Sequence, residues 1–269
     1  MEGTLTFLGT GTSMGVPTLG CPCAVCNSSD PRDRRLRPSV LLRWREHGAG
    51  AEGGVERAIV IDTGPDFREQ ALRERVARVD AVFYTHAHAD HILGLDDLRP
   101  LSFIAERRGG PIPLYADPEA RQVLERIFEY TLSPDATYPT RARVQLNPLA
   151  EHTAIYGVDF VRIPLLHGEQ PICGFRFGNA AYLTDVSRIP EASFALLEGV
   201  EVLVLSALRH TPHPSHSTLE QSVEWARRIG ARRAWFTHIA HDLAHEQTNR
   251  GLPENFQLAY DGLSVPVTL

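Results

Sequence analysis

The chain has 269 residues, 43% apolar and 22% charged, a balance that excludes a disordered or fibrous protein. Its net charge of −6 argues against a large nucleic-acid footprint while leaving room for a small basic pocket. Apolar runs such as Val202-Leu203-Val204-Leu205 are too short to span a bilayer, and Met1-Glu2-Gly3-Thr4 does not open a signal peptide, so a cytoplasmic protein with no membrane partner is expected.

In chain order, apolar patterning predicts strands over 5–8, 40–44 and 58–61, a helix over 67–76, and strands over 81–84 and 112–115. A helix over 118–130 follows, then strands over 160–164, 174–177 and 180–183, and a helix over 191–197. The last predicted elements are a strand over 202–205, a helix over 219–229 and a strand over 234–236. In that helix Leu219, Val223, Ala226 and Ile229 keep a helical spacing, and Thr218 with Gln221 forms a capping box. The glycine-rich stretch 48–54 reads as a hairpin loop. Strands and helices interleave without a separating linker or repeat, which predicts α/β layering in one domain over 1–269.

Chemistry concentrates in Thr85-His86-Ala87-His88-Ala89-Asp90-His91, directly after the apolar run Ala81-Val82-Phe83-Tyr84. Imidazole and carboxylate suit zinc, iron and manganese. At a strand end, alternation would point His86 and His88 to one side, and a helix from Ile92 onward would leave Asp90 and His91 to cap its start. Four ligands exceed what one ion comfortably takes, so the spacing predicts two ions. His167, Asp185 and His238 each follow a predicted strand and are candidates to complete the set. Cys21, Cys23 and Cys26 crowd into one loop, which in a cytosolic chain suggests metal rather than a disulfide; Cys173 reads as a small core residue. Arg32, Arg34, Arg35 and Arg37 form a basic cluster expected to be a solvated face, with one or two able to reach a substrate phosphate.

The order His-x-His-x-Asp-His, then a lone His, an Asp and a late His resembles the metallo-β-lactamase superfamily. Ile61-Asp62-Thr63-Gly64 is similar to that family's Asp-bearing strand end, with Asp62 expected to orient ligands by hydrogen bonds rather than bind an ion. The resemblance implies a four-layer αββα sandwich. It implies that His86, His88 and His167 hold one divalent ion, that Asp90, His91 and His238 hold another, and that Asp185 bridges them. In such sites the ions stand about 3.5–4 Å apart and share a hydroxide. Asp90 and His216 take the catalytic roles in this reading.

Gly9-Thr10-Gly11-Thr12-Ser13-Met14-Gly15-Val16-Pro17, Gly20-Cys21-Pro22-Cys23-Ala24-Val25-Cys26, Phe236-Thr237-His238-Ile239-Ala240-His241 and Tyr260-Asp261-Gly262-Leu263 narrow the resemblance. They are similar to the phosphoribosyl cyclic phosphate phosphodiesterases of phosphonate breakdown, from the first strand to the last. That branch implies a structural zinc on Cys21, Cys23, Cys26 and His241, a closed Cys₃His set. It also places His216 against the scissile phosphate, donating a proton to the leaving oxygen or stabilising charge, with His213 a weaker candidate for the same pocket. His47, His152 and His245 are left as surface or structural.

The implied activity is hydrolysis of a small, cyclic or nucleotide-like phosphodiester by a hydroxide bridging two zinc, manganese or iron ions, in a homodimer. The alternatives from the same superfamily are a tRNA 3′-processing endonuclease and a thioester or lactone hydrolase. The negative charge and the absence of a long basic insertion count against tRNA.

Overall fold

In the computed structural model, which describes residues 1–47 and 53–269, two seven-stranded sheets face one another. The first half of the chain runs β1 (Glu2–Gly9), β2 (Ser39–Glu46), β3 (Val55–Ile61), α1 (Phe67–Arg73), β4 (Ala81–Phe83), α2 (Ala89–Ile92), α3 (Arg99–Glu106), β5 (Ile112–Ala116), α4 (Pro118–Ile127), α5 (Glu129–Leu132) and β6 (Val144–Pro148). The second half runs β7 (His152–Ile155), β8 (Val158–His167), β9 (Gln170–Phe177), β10 (Ala180–Leu183), α6 (Glu191–Leu196), β11 (Val202–Ser206), α7 (Leu219–Ile229), β12 (Arg233–Thr237), α8 (His245–Asn249), β13 (Phe256–Leu258) and β14 (Ser264–Thr268).

The first sheet is ordered β14-β1-β2-β3-β4-β5-β6 and the second β13-β12-β11-β10-β9-β8-β7. In each, one part is antiparallel and the other parallel: β3 to β6 in the first, β10 to β13 in the second. The sequence of the parallel strands explains their place. A strand covered on both faces carries no polar alternation, and β10 and β11 are apolar nearly throughout. Their alternate residues diverge: Ala180, Tyr182, Val202 and Val204 enter the core between the sheets, and Ala181, Leu183, Leu203 and Leu205 pack outward under α6 and α7. The first sheet does the same. Leu42, Ile59 and Ile61 face the other sheet, while Leu41, Val60 and Val82 meet Phe67 of α1 and Leu124 of α4. Phe83 joins the halves, stacking on Phe160 at 4.5 Å and meeting Phe175 edge-on at 5.3 Å between ring centres. The result is a helix–sheet–sheet–helix sandwich, as expected.

Every predicted strand is present, most of them longer than the apolar run that marked them. The predicted helix over 118–130 is broken at Phe128 into α4 and α5, and the one over 67–76 stops at Arg73. Strands β6, β7, β13 and β14 and helices α3 and α8 went unpredicted. Of these strands, β6 and β7 lie at sheet edges and carry few buried apolar side chains. The capping box at Thr218 and Gln221 is formed. The predicted hairpin at 48–54 falls mostly on residues 48–52, outside the described residues.

Candidate metal centre and active site

The parallel strands end on one side of the sandwich, and their ends are where open α/β sheets offer a binding crevice. Asp62 follows β3, Thr85 and His86 follow β4, Asp185 follows β10 and His238 follows β12, while His167 ends β8. Asp62, Asp185 and His238 all have a left-handed backbone, with φ of 64°, 57° and 54°. Such a conformation costs a non-glycine residue about 1–3 kcal/mol and persists only where its surroundings impose it. The three cases lie at the ends of β3, β10 and β12, among or directly behind the candidate ligands.

His86, His88 and His167 form one group of converging ligand atoms; Asp90, His91, Asp185 and His238 form a second. His86 Nε2 stands 3.0 Å from His88 Nδ1. The two histidines converge although β4 already ends at Phe83, so the loop rather than strand alternation aims them. His88 holds the N-cap position of α2 without a side-chain capping bond; Asp90 and His91 lie inside that short helix instead of capping it. The approach of α2 is close. A Cβ on Gly64 would stand 2.1 Å from the Asp90 carbonyl oxygen, so only glycine fits there.

The hydrogen bonds behind the ligands fix which ring edge faces the pocket. His91 Nδ1 donates to Asp62 Oδ2 at 2.8 Å, and Asp62 also accepts from the Thr85 amide and hydroxyl. Asp62 is fully buried and lies outside both ligand groups, as the sequence suggested. His167 Nδ1 donates to the Ser215 carbonyl at 2.7 Å, and Thr184 Oγ1 donates to Asp185 Oδ2 at 2.7 Å. Thr85 and Ser215 were not singled out from the sequence. A small hydroxyl residue beside a ligand and a bare carbonyl leave little signal there.

The inward atoms are under-satisfied. His91 Nε2 lies 3.3 Å from Asp90 Oδ2 and 3.2 Å from Asp185 Oδ2, and His238 Nε2 lies 3.0 Å from Asp185 Oδ1 and 3.6 Å from Asp90 Oδ2. Yet both buried nitrogens lack a properly aligned hydrogen-bond partner. Buried polar atoms are seldom orphaned, and atoms crowded around a common point without aligning to one another fit a cation between them. Burial opposes charge on His91, but Asp90, Asp185 and Asp62 overcome it and hold the ring well above the usual range. The same contest raises His238 to about 9, with Asp185 the main opponent of burial. Burial opposes charge on Asp185 as well, but His238 and His91 hold its carboxyl well below the usual range.

The loop before α7 carries His213 and His216. Leu208 and Ser217 close its base, and Ser217 and Ser222 donate to the Ser206 carbonyl. His216 lies 4.5 Å from His167 and 4.7 Å from His238 between ring centres, with Nδ1 3.9 Å from Asp185 Oδ1 and unpartnered. Burial first, then the charge of His238, pushes it down to about 3. His213 stands 5.0 Å away and accepts from the Ser215 amide at 3.3 Å.

Cys21, Cys23, Cys26 and His241 form a separate converging group. His241 Nδ1 is 3.2 Å from Cys21 Sγ and 3.3 Å from Cys26 Sγ. The Cys26 amide donates to Cys23 Sγ and holds that thiol below its ordinary value, the direction a metal needs, whereas burial outweighs the Thr18 amide at Cys26 and pushes its thiol up to about 11. Cys173 is buried in the core between the sheets, as expected. One expectation fails nearby. Arg35 is not on a solvated face: its side chain is 0% exposed, paired to Asp33 and donating to the carbonyls of Ala240 and Leu243. There it ties the cysteine loop to the segment carrying His241. His245 is buried and structural, its amide bonded to Asp33.

The beta-lactamase superfamily domain matches residues 57–239. A solved diphosphatase from the PhnP family has 51% sequence identity with this chain and a TM-score of 0.89, covering 99% of this chain and 98% of its own. An octanoyltransferase of Porphyromonas gingivalis is 34% identical over 261 residues, 96% of this chain and 50% of that protein. A ribonuclease Z of Crocosphaera subtropica is 31% identical over 129 residues, 47% of this chain and 33% of that protein. This chain thus spans half or less of the length of these two curated relatives.

Proposed function

The chain belongs to the metallo-β-lactamase superfamily of hydrolases, and on that basis we propose that it cleaves a small phosphodiester or diphosphate at the histidine–carboxylate centre. The observation that carries this reading is the pair of converging ligand groups, with His167 of the first and Asp185 of the second converging again around His216, whose Nδ1 is buried and unpartnered. The similarity to a diphosphatase over nearly the full length of both chains favours phosphorus over carbonyl chemistry.

In this reading His86, His88 and His167 would hold one divalent ion and Asp90, His91 and His238 a second, with Asp185 shared between them. Such a pair supplies an acidified water and neutralises charge on the phosphoryl oxygens. The rest falls to the chain. Asp62 and the Ser215 carbonyl hold His91 and His167 with Nε2 inward. Asp90 makes its closest polar approaches to His91 and His238, which suits a ligand rather than a base. The water, its proton lost to solvent, bonds through oxygen to phosphorus as the bond to the leaving oxygen breaks, and that oxygen takes a proton from solvent. A ring held neutral at about 3 is a poor general acid near neutrality. His216 therefore acts as a hydrogen-bond donor to the developing charge rather than as a proton source. His213 supports the same oxygen more distantly. Cys21, Cys23, Cys26 and His241 would hold a structural zinc.

Purified protein with added manganese or zinc should hydrolyse bis-p-nitrophenyl phosphate. His216→Ala should lower kcat about 100-fold or more, and Asp185→Asn should lower bound metal. Metal-loaded protein inert on every diester tested, yet active on a thioester or on precursor tRNA, would overturn the reading in favour of the two alternatives from the same superfamily.

A further inference from the structure

The His216 ring is placed by its neighbours in the chain. Its Nδ1 is buried and unpartnered, while the residues on either side are tied down. The Ser215 carbonyl accepts from His167 Nδ1 at 2.7 Å. Ser217 is buried and uses all three of its polar groups. Its amide donates to the Val186 carbonyl at 2.8 Å, and its carbonyl accepts from the Leu208 amide at 3.1 Å. Its hydroxyl donates to the Ser206 carbonyl at 2.9 Å.

These partners lead back to the ligands. Val186 follows Asp185, and its amide donates to Ser206 Oγ at 3.1 Å. Ser206 ends β11, the strand between β10 and β12, which Asp185 and His238 follow. Beyond it the Ala207 amide donates at 2.8 Å to the carbonyl of Thr237, the residue before His238. The Leu208 carbonyl accepts from the Ala240 amide at 3.0 Å. Ser206 to Leu208 is thus a fixed spine, with the Asp185 turn on one side, the His238 turn on the other and Ser217 bonded across it. The Ser217 hydroxyl fastens the residue next to His216 to that spine. Ser222 donates to the same Ser206 carbonyl at 2.6 Å, so losing the Ser217 hydroxyl would leave no orphaned acceptor and the fold should tolerate it. A donor aimed at developing charge is less tolerant, because a misplacement of about 1 Å can cost about 100-fold in rate.

We propose that Ser217 is a positioning residue for His216: its hydroxyl, seated on Ser206, holds the ring against the Asp185 turn. This rests on the phosphodiesterase-type reading above, in which His216 donates to the developing charge. The test is a double-variant cycle on bis-p-nitrophenyl phosphate at saturating manganese, with Ser217→Ala, His216→Ala and the two combined. Ser222→Ala, which removes the other hydroxyl on the same carbonyl, is measured beside them. Ser217→Ala should lower kcat about 10-fold, with KM changed less than about threefold and bound metal unchanged. In the His216→Ala background it should lower kcat less than about twofold, because the group it positions is gone. Ser222→Ala should lower the melting temperature yet leave kcat within about threefold of wild type. Equal losses from Ser217→Ala in both backgrounds, a loss matched by Ser222→Ala, or a loss of bound metal would give Ser217 a general structural role and overturn the inference, as would an unchanged kcat. Wild type inert on the diester would instead overturn the phosphodiesterase-type reading, and His216→Ala as active as wild type would overturn the part His216 plays in it; the inference falls with either.

Discussion

At the scale of single residues, the centre is a balance of charge. Asp90 and Asp185 are held ionised while His91 and His238 are pulled toward protonation, His238 to about 9. A histidine whose folded pKa exceeds its unfolded value of about 6.5 stabilises the fold fully below that value. The stabilisation is lost as pH rises through the folded pKa. Divalent ions need these rings deprotonated, so binding releases protons and strengthens as pH rises. The two forms should therefore diverge. Chelator-treated protein should lose thermal stability between pH 6.5 and 9, whereas manganese-loaded protein should hold or gain over the same range. Melting curves that fall in parallel would show that these histidines do not exchange protons for metal.

At the scale of elements, α7 positions the loop that carries His216. Its start is fixed by the reciprocal bonds of Thr218 and Gln221, and its end by Gly230 in the left-handed conformation. Thr218→Ala should cost about 1 kcal/mol, seen as a shift in the denaturation midpoint with unchanged slope. This element was legible in the sequence because its cap and its period agree. So were the buried parallel strands, whose apolar runs need both faces covered. Edge strands β6 and β7 were not legible, because a half-exposed strand lacks an apolar run. The short α2 was only half legible: four residues carry no period, and its place depends on how closely Gly64 lets it approach. The ligands themselves were legible as types and order. That Asp62 holds His91, or that Arg35 is buried and Arg37 is not, depends on contacts between segments far apart in sequence.

At the scale of the molecule, the ligands come from both sheets. His86, His88, Asp90 and His91 follow β4, whereas His167 ends β8 and Asp185 and His238 follow β10 and β12 of the second sheet, so ions there would join the two halves. The cysteine group joins residues 215 or more apart in sequence, Cys26 to His241. A cross-link that closes so long a loop is worth about 5 kcal/mol in chain entropy, set by the length enclosed and not by the contacts made. The two ends of the chain meet, with the Met1 amine 2.7 Å from the Leu269 carbonyl oxygen. Joining them and reopening the chain between the cysteine loop and His241 would leave every ligand in place. The enclosed loop would then be about fourfold shorter, and the entropic contribution about 1 kcal/mol smaller. Such a permutant should bind metal normally yet lose less stability on chelation than the natural order. An equal loss in both would mean that the ion acts through the geometry it imposes on the folded chain, and that the ordering of the backbone between its ligands contributes nothing.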